Sequence, residues 1–169
     1  MKEYGRESVR NVALVAPHGA GKTSLAEALL YLHGATDKLG KVDDGSSVLD
    51  YESEEKHRRM SINSHVAFFE TKTHIVNLID TPGFLNFLYE TENAIRVVDG
   101  AVIVAAAVGG DVSLQLRKYW DMTGDLPKII FINKLEKENT SFESTLGSIS
   151  KELGVKLLPI TLPIGQHHD

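Results

Sequence analysis

Apolar positions along this chain switch between two periods. Residues 11–16 (NVALVA) form a short, β-rich apolar run, which predicts a buried strand. Gly19 and Gly21 interrupt the run. Leu25, Leu29 and Leu32 then recur at helical spacing with alanine filling, which predicts a helix over 23–32. Residues 33–61 carry many charges and no period, and a loop this long inside a compact domain is either functional or disordered. Runs 63–70 and 73–80 read as two strands joined by Thr71-Lys72, the spacing of a hairpin. A helix over 87–98, a buried strand over 101–106 and a helix over 113–122 follow, the last stopped by Gly124 and Pro127. A strand over 128–132 and a helix over 141–153, closed by Gly154, come next. The last run, 155–162, contains Pro159 and reads as extended. Strands alternating with helices predict an α/β fold: a mostly parallel sheet with helices on both faces. Its ligand is expected beyond the carboxyl ends of the strands.

Composition narrows the class. The 169 residues suit one domain, 1–169, and 42% of them are hydrophobic, enough to build a core. The formal net charge of −5 argues against a broad footprint for DNA or RNA, although one local loop can still touch RNA. With no cysteine, thiolate zinc sites, disulfides and Cys nucleophiles are all excluded. The first sixteen residues hold two Glu and no long apolar run, so they do not read as a signal or transit peptide. No stretch approaches the ~20 apolar residues of a membrane span. The expectation is a soluble, cytoplasmic, monomeric domain.

Three short segments carry chemistry. Ala16-Pro17-His18-Gly19-Ala20-Gly21-Lys22-Thr23 follows the P-loop pattern, with Ala16 in place of its first glycine. The glycines let backbone N–H groups turn inward around phosphate oxygens. The helix that follows, with Ser24 in its first turn, adds the partial positive charge of its N-terminus. Lys22 is expected to reach the β- and γ-phosphates, and the Thr23 hydroxyl to hold Mg²⁺. The second segment is Asp80-Thr81-Pro82-Gly83, directly after an apolar strand. Its carboxylate sits where it can hold Mg²⁺ directly or through a water, and Gly83 offers an N–H toward a γ-phosphate. The third segment is Asn133-Lys134-Leu135-Glu136, after KIIFI. Read alone, it is a charged loop leading into a helix.

The third segment resembles the Asn-Lys-x-Asp guanine-recognition motif of GTPases, with Glu136 where that family has Asp. GAGKTSL (19–25), DTPGF (80–84), LPKIIFINKLEKENTSF (126–142) and LPITLPIG (158–165) further resemble the N-terminal G domain of elongation factor G and its paralogues. The match runs from residue 12 to residue 165. The resemblance implies GTP or GDP as ligand, Mg²⁺ as cofactor, hydrolysis of GTP, and the ribosome as partner of a longer parent protein. It also implies that residues 33–61 are the first switch, in which KHRRMSI resembles Arg-Gly-Ile-Thr-Ile and Ser61 stands for the Mg²⁺-binding Thr. The basic group Lys56, His57, Arg58 and Arg59 then has two readings, a solvated loop or a face toward ribosomal RNA.

The chain departs from the family in three places. Phe84 stands where elongation factors carry the His that orients the attacking water, and Phe cannot donate, accept or move a proton. Gly19 stands where the family P-loop carries Asp. Residue 169 lies near the point where the family's inserted subdomain would begin, so the chain reads as a fragment lacking the end of the G domain. His18 has two readings, one near the γ-phosphate and one packed on the first switch or facing solvent. His167, His168 and Asp169 read as a tail rather than a metal cluster. The leading functional expectation is a GTPase switch domain in which Lys22, Gly83 and the P-loop amides stabilise charge, slow without the ribosome. The alternative is a nucleotide-binding regulatory module with little or no hydrolysis.

Overall fold

The computed structural model describes residues 4–108 and 114–165. Position 113, expected to open a helix, and the terminal His167, His168 and Asp169 lie outside the described residues. The first strand, β1 (Val9–Val15), is followed by the glycine loop and helix α1 (Lys22–Leu32). A six-residue helix α2 (Ser53–Arg58), strand β2 (His65–Glu70) and strand β3 (Ile75–Asp80) come next. The remaining elements are α3 (Leu88–Ile95), β4 (Gly100–Ala106), α4 (Leu114–Thr123), β5 (Lys128–Asn133) and α5 (Phe142–Leu153).

The five strands form one sheet in the order β2-β3-β1-β4-β5. Only the β2–β3 pair is antiparallel, the hairpin read from Thr71-Lys72. The parallel β1 register sets Leu14 beside Asp80, and the β4–β5 register sets Ala106 beside Asn133. The carboxyl ends of β3, β1, β4 and β5 therefore reach one edge, where the three motifs emerge.

Successive side chains of a strand point to opposite faces, and the core follows that period. Ala13 and Val15 of β1 join Ala94, Leu116, Tyr119, Ile149 and Leu153, so α3, α4 and α5 cover one face. Leu14 joins Ala26 and Leu30 of α1 with Leu49, Phe69 and Leu78 on the other. Burying each Val, Leu or Ile side chain among these stabilises the fold by roughly 1.5–3 kcal/mol. Helices on both faces of a mostly parallel sheet match the α/β expectation. Helix α5 begins at a Ser141 cap, whose hydroxyl accepts from the Ser144 N–H, and ends at Gly154 in the left-handed region (φ 67°).

Two readings are corrected, the period-free loop at 33–61 and the length of the helix at 87–98. The period-free stretch 33–61 contains α2, whose six residues span less than two turns and so show no apolar stripe. Glu54 and Glu55 lie in its first turn and Lys56, His57 and Arg58 in its last, an arrangement that complements the helix dipole. Residues 155–162 form no strand. Leu158, Ile160 and Leu162 alternate as strand residues do but lie largely exposed. A strand is held by ladder hydrogen bonds to a neighbour, and β5 pairs only with β4 among the described residues. The helix expected over 87–98 is also shorter: a 3₁₀ turn (Leu85–Phe87) precedes α3, which is capped at Arg96.

Candidate functional site

The P-loop owes its shape to two glycines. Gly19 (φ 77°) and Gly21 (φ 96°) both adopt left-handed backbone that side chains rarely tolerate. At Gly21 a Cβ would also collide with the Asn133 side-chain amide. That amide donates to the Ala20 carbonyl at 2.9 Å, which ties the third motif to the first across more than a hundred residues. His18 N–H donates to the Gly83 carbonyl at 2.9 Å, which ties the second motif to the first. Gly83 is needed for close approach: a Cβ there would lie 2.6 Å from His18 N and 2.7 Å from Lys22 Nζ.

Lys22 is buried, and its ammonium donates to the Ala16 carbonyl at 3.0 Å and to the Pro17 carbonyl at 3.5 Å. Burial pulls its pKa below the usual lysine value, and the Asp80 and Asp50 carboxylates oppose that shift. The ammonium is thus held on carbonyl dipoles at the mouth of the loop, within reach of an incoming anion.

Thr23, Asp80 and Ser61 come together from three elements. Thr23 Oγ1 donates to Asp80 Oδ2 at 2.6 Å and lies 3.4 Å from Ser61 Oγ. Ser61 in turn donates to Asp50 Oδ1 at 2.7 Å. Asp80 is fully buried, yet its Oδ1 has no hydrogen-bond partner. A buried, half-satisfied carboxylate beside two hydroxyls is a hard oxygen donor set, and it fits Mg²⁺.

Burial pushes the Asp80 carboxyl up to about 6, against the opposing pull of Lys22 and the Thr23 hydrogen bond. Its ordinary value is 3.8. A folded-state pKa above the unfolded one means that the folded chain binds the extra proton between the two values. Stability is therefore present at low pH and is lost as pH rises from about 4 to above 6. In metal- and nucleotide-free buffer, the Asp80 contribution is expected to fall by roughly 2–3 kcal/mol across that window. Urea denaturation of the unmodified chain and of Asp80→Asn at pH 4.5 and 7.5, values chosen for roughly full protonation and full ionisation, isolates this contribution. Parallel pH dependences in the two proteins would contradict it.

A cavity of about 890 Å³ opens beside the loop, lined by Pro17, His18, Gly19 and Ala20 on one side and Lys134 and Glu136 on another. Lys134 holds a left-handed conformation (φ 65°) as the chain leaves β5. His18 packs tilted on Phe84 with ring centroids 4.0 Å apart, and burial with the nearby Lys22 and Lys134 charges lowers its pKa. His18 therefore packs on the residue that follows Asp80-Thr81-Pro82-Gly83.

The remaining motif residues are placed differently. Thr81 is buried and donates to the Leu14 carbonyl at 2.7 Å, and the Pro82 carbonyl accepts from Thr91 at 3.4 Å. Both residues brace the turn and do not turn their side chains to the cavity. Ser24 is exposed in the first turn of α1 and does not line the cavity.

Sequence reasoning missed three contributors. Tyr119 of α4 donates to the Gly83 carbonyl at 3.2 Å. Glu27 of α1, fully buried, accepts from the Ser47 hydroxyl at 2.6 Å and from the Val48 and Leu49 amides at 2.7 and 3.3 Å, so it holds the middle of the 33–61 segment against α1. Asp50 anchors Ser61. Only a signal from related sequences could have marked these residues, because none lies in a contiguous motif.

Residues 7–162 match the family described as "Elongation factor Tu GTP binding domain". The chain belongs to this family of GTP-binding domains of translation factors. It is 40% identical to elongation factor G of Dehalococcoides mccartyi over 166 residues, which is 97% of the chain and 24% of that protein. It is 41% identical to elongation factor G of Mycoplasma pneumoniae over 95% of the chain and 23% of that protein. Ribosome-releasing factor 2, mitochondrial, of Pongo abelii is 41% identical over 94% of the chain and 20% of that protein. A crystal structure from Thermus thermophilus superposes with a TM-score of 0.87 at 33% identity, covering 94% of this chain and 24% of that one. The chain thus spans about a quarter of the length of these elongation factor G relatives.

Proposed function

We propose that this domain binds GTP with Mg²⁺ and hydrolyses it slowly by itself, as the switch of a ribosome-associated factor of the elongation factor G kind working in the cytoplasm. The single observation that carries the reading is the convergence of Thr23, Ser61 and Asp80, with an orphaned Asp80 oxygen, at the start of the helix that follows the P-loop. Those three residues would hold Mg²⁺, which supplies charge neutralisation on the β- and γ-phosphate oxygens when bound.

This chain's own groups do the rest. The amides of Gly19 and of residues 21–23 are the loop donors left for phosphate, since those of His18 and Ala20 are bonded to the Gly83 and Pro17 carbonyls. Lys22 leaves the Ala16 and Pro17 carbonyls for the phosphate oxygens, a charge-assisted contact. The Gly83 N–H would meet the γ-phosphate, on a glycine that the Lys22 ammonium approaches too closely for any side chain. Asn133 braces the loop, the Lys134 stem covers the base, and the Glu136 carboxylate accepts the two N–H groups of the guanine edge. Ser61 ties residues 33–61 to the Mg²⁺ site, so this segment orders with the triphosphate and loosens with the diphosphate. The other domains of the parent factor and the ribosome itself complete the site.

Base choice tests the reading. Adenine offers no matching donor pair to Glu136, so the wrong base leaves a carboxylate unpaired. ATP is expected to compete with labelled GDP at least about 10²-fold less well than GTP. Equal competition by ATP and GTP would remove guanine from the proposal.

A further inference from the structure

Behind Ser61 lies a second polar cluster that the nucleotide chemistry does not use. Asp50 comes from the 33–61 segment, Glu55 from α2 and His65 from the first position of β2, and each is at most 3% exposed. One oxygen of each carboxylate is already held by the protein. Asp50 Oδ1 accepts from Ser61, and Glu55 Oε1 accepts from the Ile62 and Asn63 amides at 2.8 and 3.2 Å. The other oxygens, Asp50 Oδ2 and Glu55 Oε2, have no hydrogen-bond partner, and neither has either nitrogen of His65. One ligating atom from each of the three residues lies within 4.8 Å of the others, and His65 Nε2 stands 3.3 Å from Glu55 Oε2. The Tyr51 ring packs edge-on against His65 at 4.7 Å.

Buried polar atoms without partners are costly; four are present here, and one from each of the three residues meets the others. A proton on His65 would pair its Nε2 with Glu55 but would supply one positive charge against two carboxylates. A dication neutralises both carboxylates and employs the imidazole as well. We propose that Asp50, Glu55 and His65 bind a transition-metal dication of the Zn²⁺ class, at a site distinct from the Mg²⁺ site of Thr23, Ser61 and Asp80.

The donor set selects the ion. One imidazole with two carboxylates suits Zn²⁺ or Co²⁺, whereas Mg²⁺ takes oxygen ligands alone. A point among the three atoms lies within roughly 2.8 Å of all of them, against metal–ligand bonds of about 2.0–2.2 Å, so each side chain moves in by at most roughly 0.6–0.8 Å. The amides of Ile62 and Asn63 orient Glu55, and the Ser61 hydroxyl orients Asp50, as outer partners orient metal ligands elsewhere. A bound ion would tie the residue-50 loop and α2 to β2, and Ser61 lies between α2 and β2.

The test is a Co²⁺ titration of the purified chain, with excess Mg²⁺ and GDP present to occupy the nucleotide site. A His167→Ala, His168→Ala background removes the terminal imidazoles. One equivalent of Co²⁺ is expected to develop the visible d–d band of a low-coordinate site, and Zn²⁺ to abolish it by displacement. His65→Ala should eliminate the band. Glu55→Gln, which keeps the side chain's shape, should weaken Co²⁺ binding by roughly tenfold or more. Circular dichroism checks that both variants fold, and if His65→Ala does not, Glu55→Gln alone decides. Absence of a band in the parent chain overturns the proposal. So does unchanged affinity in the folded variants, or binding lost only in Asp80→Asn.

Discussion

Lys22→Ala is expected to raise the dissociation constant for GTP by about 10²-fold or more. Charge-assisted hydrogen bonds to phosphate are each worth about 1.5–3 kcal/mol, and the Lys22 ammonium is positioned to make more than one. It is buried beside Gly83, rests on the Ala16 and Pro17 carbonyls, and needs only a short swing to meet phosphate. The substitution also removes the cation that opposes the raised Asp80 pKa, so the carboxylate proposed to hold Mg²⁺ becomes harder to ionise. Both effects weaken triphosphate binding. Calorimetric titration of GTP into both proteins in excess Mg²⁺ measures the change, with unfolding curves as the control for folding. Equal affinities in two folded proteins would mean that residues 16–23 do not bind phosphate as proposed.

Phe84→His is expected to raise GTP turnover by about 10²-fold or more in the presence of ribosomes, with GTP affinity changed little. A positioned proton-transfer or water-orienting group contributes on the order of 10²–10⁴ in rate, and Phe84 has no polar atom to act as one. Its ring instead packs tilted on His18, with centroids 4.0 Å apart, directly after Gly83. His18 is the other imidazole at hand. Burial together with the Lys22 and Lys134 charges lowers its pKa, and its ring packs onto Phe84. Single-turnover phosphate release, measured for both proteins with and without ribosomes, gives the comparison. Brisk hydrolysis by the unmodified chain alone would assign the water to His18 or another group. No gain in Phe84→His under either condition would show that residue 84 does not limit the rate.

The division between what the sequence determined and what folding decided follows the range of the interactions. The strand-loop-helix passage from β1 to α1, the Asp80-Thr81-Pro82-Gly83 turn and the Asn133-Lys134 segment were legible because each is contiguous. Glycine backbone freedom and strand ends act over a few residues, and a sheet with helices on both faces follows from alternating periods alone. Helix α2 was hidden because six residues are too few to display a period, and Glu55 within it holds the Ile62 and Asn63 amides, a contact at no fixed local spacing. Residues 155–162 carry the alternation of a strand yet form none, because a strand exists only where a neighbour completes its ladder. The inward turn of Thr81, the Glu27 hold on residues 47–49 and the meeting of Asp50, Glu55 and His65 were decided by tertiary structure alone. Each depends on burial, which makes an unpaired carboxylate or hydroxyl costly and so drives it toward whatever partner the packed chain brings near, at a sequence distance that no local pattern records.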